Sequence, residues 1–225
     1  MLRRSSWVAS LTPDQLQRVE QESSERVVGA GAYLARRGEA VEHWYGVVEG
    51  IVKVYTVSSE GRTMSYAAIT AGGWFGEGSM LWPSRQRMYD ATALRESHIL
   101  CISRATFDWL SASSAAFNRF LAEHLASRLG QLMSALEHDR LTPPESRLAH
   151  CLLEVFNPTL NPGSGTRIAI TQEEIGYLCG LSRQVVNRAL REFEEAGLIK
   201  LEYGVLSVLS MEGLQAASHD ASARG

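Results

Sequence analysis

Residues 171–198 read TQEEIGYLCGLSRQVVNRALREFEEAGL, and the stretch carries the signals that two short helices joined by a tight turn require. Thr171 is a good N-cap residue, with Glu174 three positions on. That is the capping-box spacing, in which each side chain satisfies an orphan amide of the other. Ile175 and Leu178 give the first helix its apolar side. Cys179-Gly180-Leu181 makes the turn, because glycine adopts the left-handed backbone that a Cβ disfavours. Ser182 caps a second helix, in which Val185, Val186, Ala189, Leu190 and Phe193 recur at helical spacing. Arg183, Gln184, Asn187, Arg188 and Arg191 are left facing outward. Arginine bonds a guanine edge through two donors, and Gln or Asn an adenine edge, so this helix has the chemistry to read a major groove. An amphipathic pair with a merely solvated polar face shares the apolar spacing. The shortness of the helices, the tight turn and the polar cluster at the front of the second helix favour DNA.

The rest of the chain bounds the setting. Its 225 residues allow one large or two modest domains, and a hydrophobic fraction of 45% is that of an ordinary folded protein. No apolar run approaches the ~20 residues of a membrane span, and MLRRSSWVASL lacks the apolar core of a secretory signal. The expectation is a cytoplasmic protein. Cys101, Cys151 and Cys179 are scattered in apolar contexts, which argues against a disulfide framework or a metal centre. No nucleophile–base pair, metal-ligand spacing or P-loop is present, so no enzyme is expected. The net charge is −3, and residues 141–225 hold 7 basic against 10 acidic side chains. A charge-driven DNA coat is thereby excluded, whereas a specific reader with its cations gathered on one helix is not.

In chain order, residues 10–22 read as a short helix capped by Ser10, with Pro13 near its start. From Val27, short β-branched and aromatic segments are punctuated by glycines, around 33–35, 44–48, 51–57, 64–69, 89–94 and 98–102. Such strands indicate an antiparallel sandwich or jelly roll, with SSEGR (58–62) as a hairpin tip. Phe117, Leu121, Leu125, Leu129, Leu132 and Leu136 then form one apolar stripe on a long helix. A stripe that narrow suits pairing with a second copy, or else lies on the β domain. Pro143-Pro144 is a hinge, 146–156 a helix, 157–165 a loop and 167–170 a strand. Two strands around Tyr203-Gly204 form a small wing. The expected class is α+β: an antiparallel jelly roll, a long dimerisation helix and a winged helix-turn-helix.

That order of elements resembles the Crp/Fnr family of bacterial transcription regulators, from about Leu11 to Leu214. The most specific segments are ITQEEIGYLCGLSRQVVNRAL (170–190) and GGWFGE (72–77). The resemblance implies that Arg183, Gln184 and Arg188 face base edges and that Ser182 touches the DNA backbone. Asn187 joins them on helical geometry, and Thr171 and Arg191 complete the set. GGWFGE is similar to the start of the family's cyclic nucleotide cassette. There a Gly-Glu pair opens a short helix whose amides cradle the phosphate, and an arginine about ten residues on pairs with it. The matching residues are Gly76, Glu77, Gly78, Ser79 and Arg87. Met88 and Tyr89 depart from the small hydroxyl residue and alanine expected next, and Leu132 and Met133 from the Thr-Ser pair that meets the purine. Losing such contacts at ~1 kcal/mol each costs roughly one to two decades of affinity.

The implied effector is a cyclic nucleotide or another small anion, with cyclic AMP disfavoured. The implied partners are a palindromic double-stranded operator, a second copy of the chain and RNA polymerase. The expected division is an effector domain over 1–103, a dimerisation helix and hinge over 104–141, a DNA-binding domain over 142–215 and a disordered tail over 216–225. The alternatives are a constitutive regulator with a degenerate pocket, or a nucleotide-sensing module that binds no DNA.

Overall fold

A computed structural model describes residues 1–219, with 139–141 as backbone only. Two turns of 3-10 helix precede α1 (Pro13–Glu22). Thr12, not Ser10, caps α1: its hydroxyl accepts from Gln15 N at 3.2 Å, and Gln15 Oε1 accepts from Thr12 N at 3.1 Å. The cap falls there because Pro13 fills the first helical position, where a missing N–H costs nothing.

Eight strands follow: β1 (Ser23–Val28), β2 (Tyr33–Ala35), β3 (His43–Glu49), β4 (Val52–Val57), β5 (Thr63–Ile69), β6 (Trp74–Phe75), β7 (Asp90–Ala93) and β8 (Ser97–Ser103), with α2 (Glu77–Leu81) between β6 and β7. They form two four-stranded antiparallel sheets, ordered β1-β8-β3-β6 and β2-β7-β4-β5. The side-chain period of two explains how β3 and β8 serve two cores. Tyr45, Val47, Ile99 and Cys101 point between the sheets, while Trp44, Leu100 and Ile102 point outward under the helices. Both faces are apolar, so the simple hydrophobic–polar alternation of a surface strand is absent here.

The outer face is covered by α3 (Arg104–Ser113) and α4 (Ala115–Leu141). Residues 104–141 are therefore two helices and not one. Ser114 leaves the helical region and caps α4 by accepting from Phe117 N at 3.2 Å. Trp44 and Trp74 stack at 4.2 Å, and Trp7, Phe107 and Phe117 meet them at 5.3–5.6 Å. Such aromatic contacts hold α3, α4 and the N-terminal turns to the sheet. The apolar stripe of α4 divides: Phe117 and Leu121 are buried in this cluster, whereas Leu129, Leu132, Met133 and Leu136 are exposed.

The C-terminal part comprises α5 (Pro144–Val155), β9 (Arg167–Ala169), α6 (Gln172–Cys179), α7 (Arg183–Glu195), β10 (Ile199–Glu202), β11 (Val205–Val208) and α8 (Met211–His219). The wing is a three-stranded sheet ordered β10-β11-β9. α8 corrects the expectation of a disordered tail for residues 216–219, because Leu214 and Ser218 are buried on its inner side. Residues 220–225 lie outside the described residues. None of the described helices is long and apolar enough to cross a membrane.

The loop 157–165 is bound to the β domain through Asn161, which is fully buried. Its Oδ1 accepts from Thr70 N at 3.0 Å, while its Nδ2 donates to Ala68 O and Glu154 O, each at 3.1 Å. At the junction of α4, α5 and α8 the rings of His138 and His150 stack at 4.1 Å, with His219 5.9 Å from His138. Burial, helped by the neighbouring His138 and His219, pushes the His150 imidazole down to about 4.

Two stability changes are expected. Asn161→Ala removes the side-chain acceptor of Thr70 N–H and the donor to the Ala68 and Glu154 carbonyls, and should cost about 2–4 kcal/mol in urea unfolding. For His150, the unfolded chain takes up a proton near the ordinary value of ~6.5, while the folded chain refuses it until about 4. Its contribution is complete above ~6.5 and falls as the pH drops toward about 4. Unfolding free energies from urea titrations at pH 7.5 and 5 should differ by about 2 kcal/mol more in the wild type than in His150→Leu.

Candidate nucleic-acid interface and effector cassette

The helix-turn-helix is built by local hydrogen bonds. Thr171 Oγ1 accepts from Glu174 N at 3.2 Å, and Glu174 Oε2 accepts from Thr171 N at 2.7 Å, which closes the capping box. Arg95, in the loop before β8, grips the same carboxylate through Nε at 2.8 Å and through Nη2. Burial opposes the Glu174 charge, but the bonds from Arg95 and Thr171 outweigh it and hold the carboxyl below its ordinary range. Gly180 ends α6 with φ +64°, in the left-handed region. Gly176, which the sequence alone did not single out, matters for a different reason. A Cβ there would lie 3.0 Å from Leu181 O and 3.8 Å from Val186, so its absence lets the turn and α7 close onto α6.

α7 buries Val186, Ala189, Leu190 and Phe193, and Ser182 caps it by accepting from Val185 N at 3.4 Å. Opposite that face, Arg183, Gln184 and Arg191 are exposed and Asn187 is half-buried. Arg188 is exposed too, but its guanidinium is paired with Glu145 at the start of α5, and more loosely with Glu192 at 3.9 Å. Thr171 has its hydroxyl engaged by Glu174, so its observed part is to shape α6.

In the β domain, Gly76 takes φ +106° and opens α2. Gly76, Glu77, Ser79 and Arg87 come together and are buried, and Gly78 lies beneath the Met88 side chain. Arg87 lies against Gly76, where a Cβ would meet its Nη1 at 2.8 Å. Its Nη2 donates to His43 O, its plane lies 4.9 Å from the Tyr45 ring centroid, and its Nη1 is buried without a partner. Glu77 accepts from Trp44 Nε1 at 3.2 Å and lies 3.6 Å from His124 Nε2. Burial keeps the His124 imidazole below its ordinary range. Ser79 Oγ accepts from Met88 N at 3.3 Å. Burial raises the Tyr89 pKa, and the Glu77 carboxylate raises it further.

Arg87 thus presents a buried guanidinium with an unpartnered Nη1 beside a residue that lacks a side chain, which is the chemistry an anion would need. Leu132 and Met133, which the resemblance sets on the purine side, are exposed on α4 and bring no hydrogen-bonding group. Sequence reading missed Trp44, Tyr45, His124 and Arg128 as partners of the cassette. They come from β3 and α4, far along the chain, and no local motif marks them.

Comparison with known proteins matches residues 25–114 to the cyclic nucleotide-binding domain family and residues 146–217 to the Crp-like helix-turn-helix domain family. The chain is 30% identical over 176 residues to a CRP-like cAMP-activated global transcriptional regulator of Mycobacterium tuberculosis, covering 76% of this chain and 78% of that one. The chain belongs to the Crp/Fnr family of transcription regulators. Its members among the relatives include the cyclic AMP receptor protein of Thermus thermophilus, 28% identical over 88% of this chain and 89% of that protein. The Crp/Fnr fold also appears in the structure of FixK2 from Bradyrhizobium japonicum. That structure has a TM-score of 0.74 at 21% identity, and the match spans 89% of this chain and 98% of the other. As a family member the chain is a transcription regulator with a helix-turn-helix DNA-binding domain.

Proposed function

We propose that the protein works as a homodimer, reads a palindromic operator through α7, and is controlled by a small anionic effector at the cassette of the β domain. The observation that carries the DNA reading is the capped helix α7, whose buried Val186, Ala189 and Leu190 fix the direction in which Arg183, Gln184, Asn187 and Arg191 project. Arg183 and Gln184, exposed in the first turn, are assigned to base edges, together with Arg188 once Glu145 releases it. Ser182 and Arg191 are assigned to phosphates. The dimer reading rests on Leu129, Leu132, Met133 and Leu136, which α4 exposes beyond the region that the β domain covers. RNA polymerase is the partner through which such a regulator acts, and the cytoplasm is where it would meet both.

The control reading rests on Arg87 with its spare buried donor, together with the path by which Arg95 and Asn161 join the β domain to the DNA-binding domain. An effector that favours one arrangement of these joints shifts its population and thereby operator affinity. The second reading, constitutive DNA binding, is favoured by Tyr89, a bulky side chain packed on the core of the β domain where the resemblance expects a small residue.

Arg183→Ala and Gln184→Ala should each remove about 1–3 kcal/mol of discrimination between the operator and a scrambled duplex, measured by fluorescence anisotropy. Unchanged discrimination in both variants would overturn the base-reading role. Calorimetric titration with cyclic AMP, cyclic GMP and cyclic di-GMP separates the two readings of the cassette. Control by a cyclic nucleotide predicts heat that Arg87→Ala abolishes. Absence of heat in the wild type, with heat gained in Tyr89→Ala, supports constitutive binding.

A further inference from the structure

Residues 70–73 form the turn between β5 and β6, and Gly76 of the cassette follows three positions later. The turn closes on itself through Gly73 N to Thr70 O at 3.0 Å. It is fixed to β3 on one side: Gly72 N donates to Val47 O at 2.8 Å, and Val47 N to Gly73 O at 2.9 Å. On its other side sits the 157–165 loop of the DNA-binding domain. Gly163 N donates to Ala71 O at 2.9 Å, and Thr70 N donates to Asn161 Oδ1 at 3.0 Å. Asn161 Nδ2 also reaches Glu154 O at 3.1 Å and Val155 O at 3.3 Å, so one side chain bonds both the turn and the end of α5.

Three glycines permit this approach. A Cβ on Gly72 would stand 2.8 Å from Gly163 N, one on Gly73 2.6 Å from Asn161 Oδ1, and one on Gly163 2.5 Å from Ala71 O. No side chain fits at such distances, so the two backbones meet directly. The stretch GGWFGE (72–77) therefore divides by task. Gly72 and Gly73 serve the contact with the DNA-binding domain, Gly76 and Glu77 serve the cassette, and Trp74 and Phe75 of β6 join the two. Both β6 side chains are buried, Trp74 in the aromatic cluster and Phe75 between the sheets. Trp74 O accepts from His124 Nε2 at 3.2 Å and from Arg128 Nη2 at 3.1 Å, both on α4.

We infer, on the reading of the cassette as the control site, that the 157–165 loop is a strap through which the cassette sets the orientation of α7, with β6 as the link. Two packed residues give β6 little room to absorb a displacement, because close-packed interiors transmit strain. A shift at Gly76 moves the 70–73 turn, and the glycine contacts pass it to Asn161 and Gly163 with no flexible side chain between. Asn161 hands it to the end of α5. There Leu148 and Leu152 share a core with Val186 and Leu190 of α7, so the reading helix follows. Arg183, Gln184 and Arg191 are exposed in this arrangement, so the closed strap holds an open reading face.

Hydrogen–deuterium exchange of the full-length protein tests the link without any ligand, read by mass spectrometry on peptides covering 157–165 and, for reference, the wing at 199–208. Glu77→Gln and Arg87→Gln disturb the cassette. In at least one of them the 157–165 amides should exchange faster than in the wild type, with 199–208 unchanged. Unchanged exchange in 157–165 in both variants, or equal acceleration of both peptides, would overturn the strap. Gly163→Ala disturbs the contact from the other side, away from the cassette and α7. It should speed exchange in 157–165. It should also weaken binding to the tightest duplex that the wild type selects from a random pool by about 5- to 100-fold. Preference for that duplex over a scrambled one should persist, because the side chains of α7 are untouched. Affinity unchanged or raised in Gly163→Ala despite faster exchange would also overturn the strap. Absence of heat in the nucleotide titrations counts against the effector reading alone, since none of these outcomes requires a bound effector.

Discussion

The carboxylate of Glu174 is used three times over. It closes the capping box that starts α6, it receives the Thr171 hydroxyl, and it is held in two-pronged fashion by Arg95 from the β domain. A nearly buried charge is tolerable only when its lone pairs are satisfied, and here every available donor serves that end. The start of the helix-turn-helix and its attachment to the other domain are thus one electrostatic arrangement. Removing Arg95 would leave the cap in place with an under-compensated charge. Removing Glu174 would free both the helix start and the joint. Asn161 plays the neutral counterpart nearby, stitching the 157–165 loop to the end of β5 and to α5.

What the sequence made legible was whatever is encoded locally. The helix-turn-helix announced itself because caps, turn glycine and apolar period all fall within 28 residues, and each is a short-range preference. The strands were legible in number and approximate position, since β-branched runs between glycines need no knowledge of their partners. Three things were not. The N-terminal turns and Trp7 join the core only through contacts with Trp44, Trp74 and Phe117, which no nearby pattern signals. The break between α3 and α4 depends on a single serine whose caps and helix-interior forms look alike in sequence. Two of the cassette's partners, His124 and Arg128, reach it from α4 and become neighbours only once α4 lies across the sheet.

The β domain also shows how a binding site and a folding core share residues. Trp44 stacks on Trp74 and at the same time donates to Glu77, and Tyr45 lies under Arg87 while facing the interior of the sandwich. The cassette is therefore built into the folding core on the side of the sheet, and His124 and Arg128 bring α4 against it from the other side.

The pairing of Arg188 with Glu145 has a further consequence for how this protein responds to its ionic surroundings. Under the DNA-contacting role proposed for Arg188, a guanidinium already neutralised by a carboxylate exchanges one anionic partner for another on DNA, where a free one would displace condensed ions outright. Added salt weakens the old pairing as well as the new one, so the two losses partly cancel. Counting cations on α7 would overstate how steeply binding declines as ionic strength rises. In that role Glu145 is an internal competitor for the Arg188 guanidinium, and only a partner that offers it comparable bonds displaces the carboxylate.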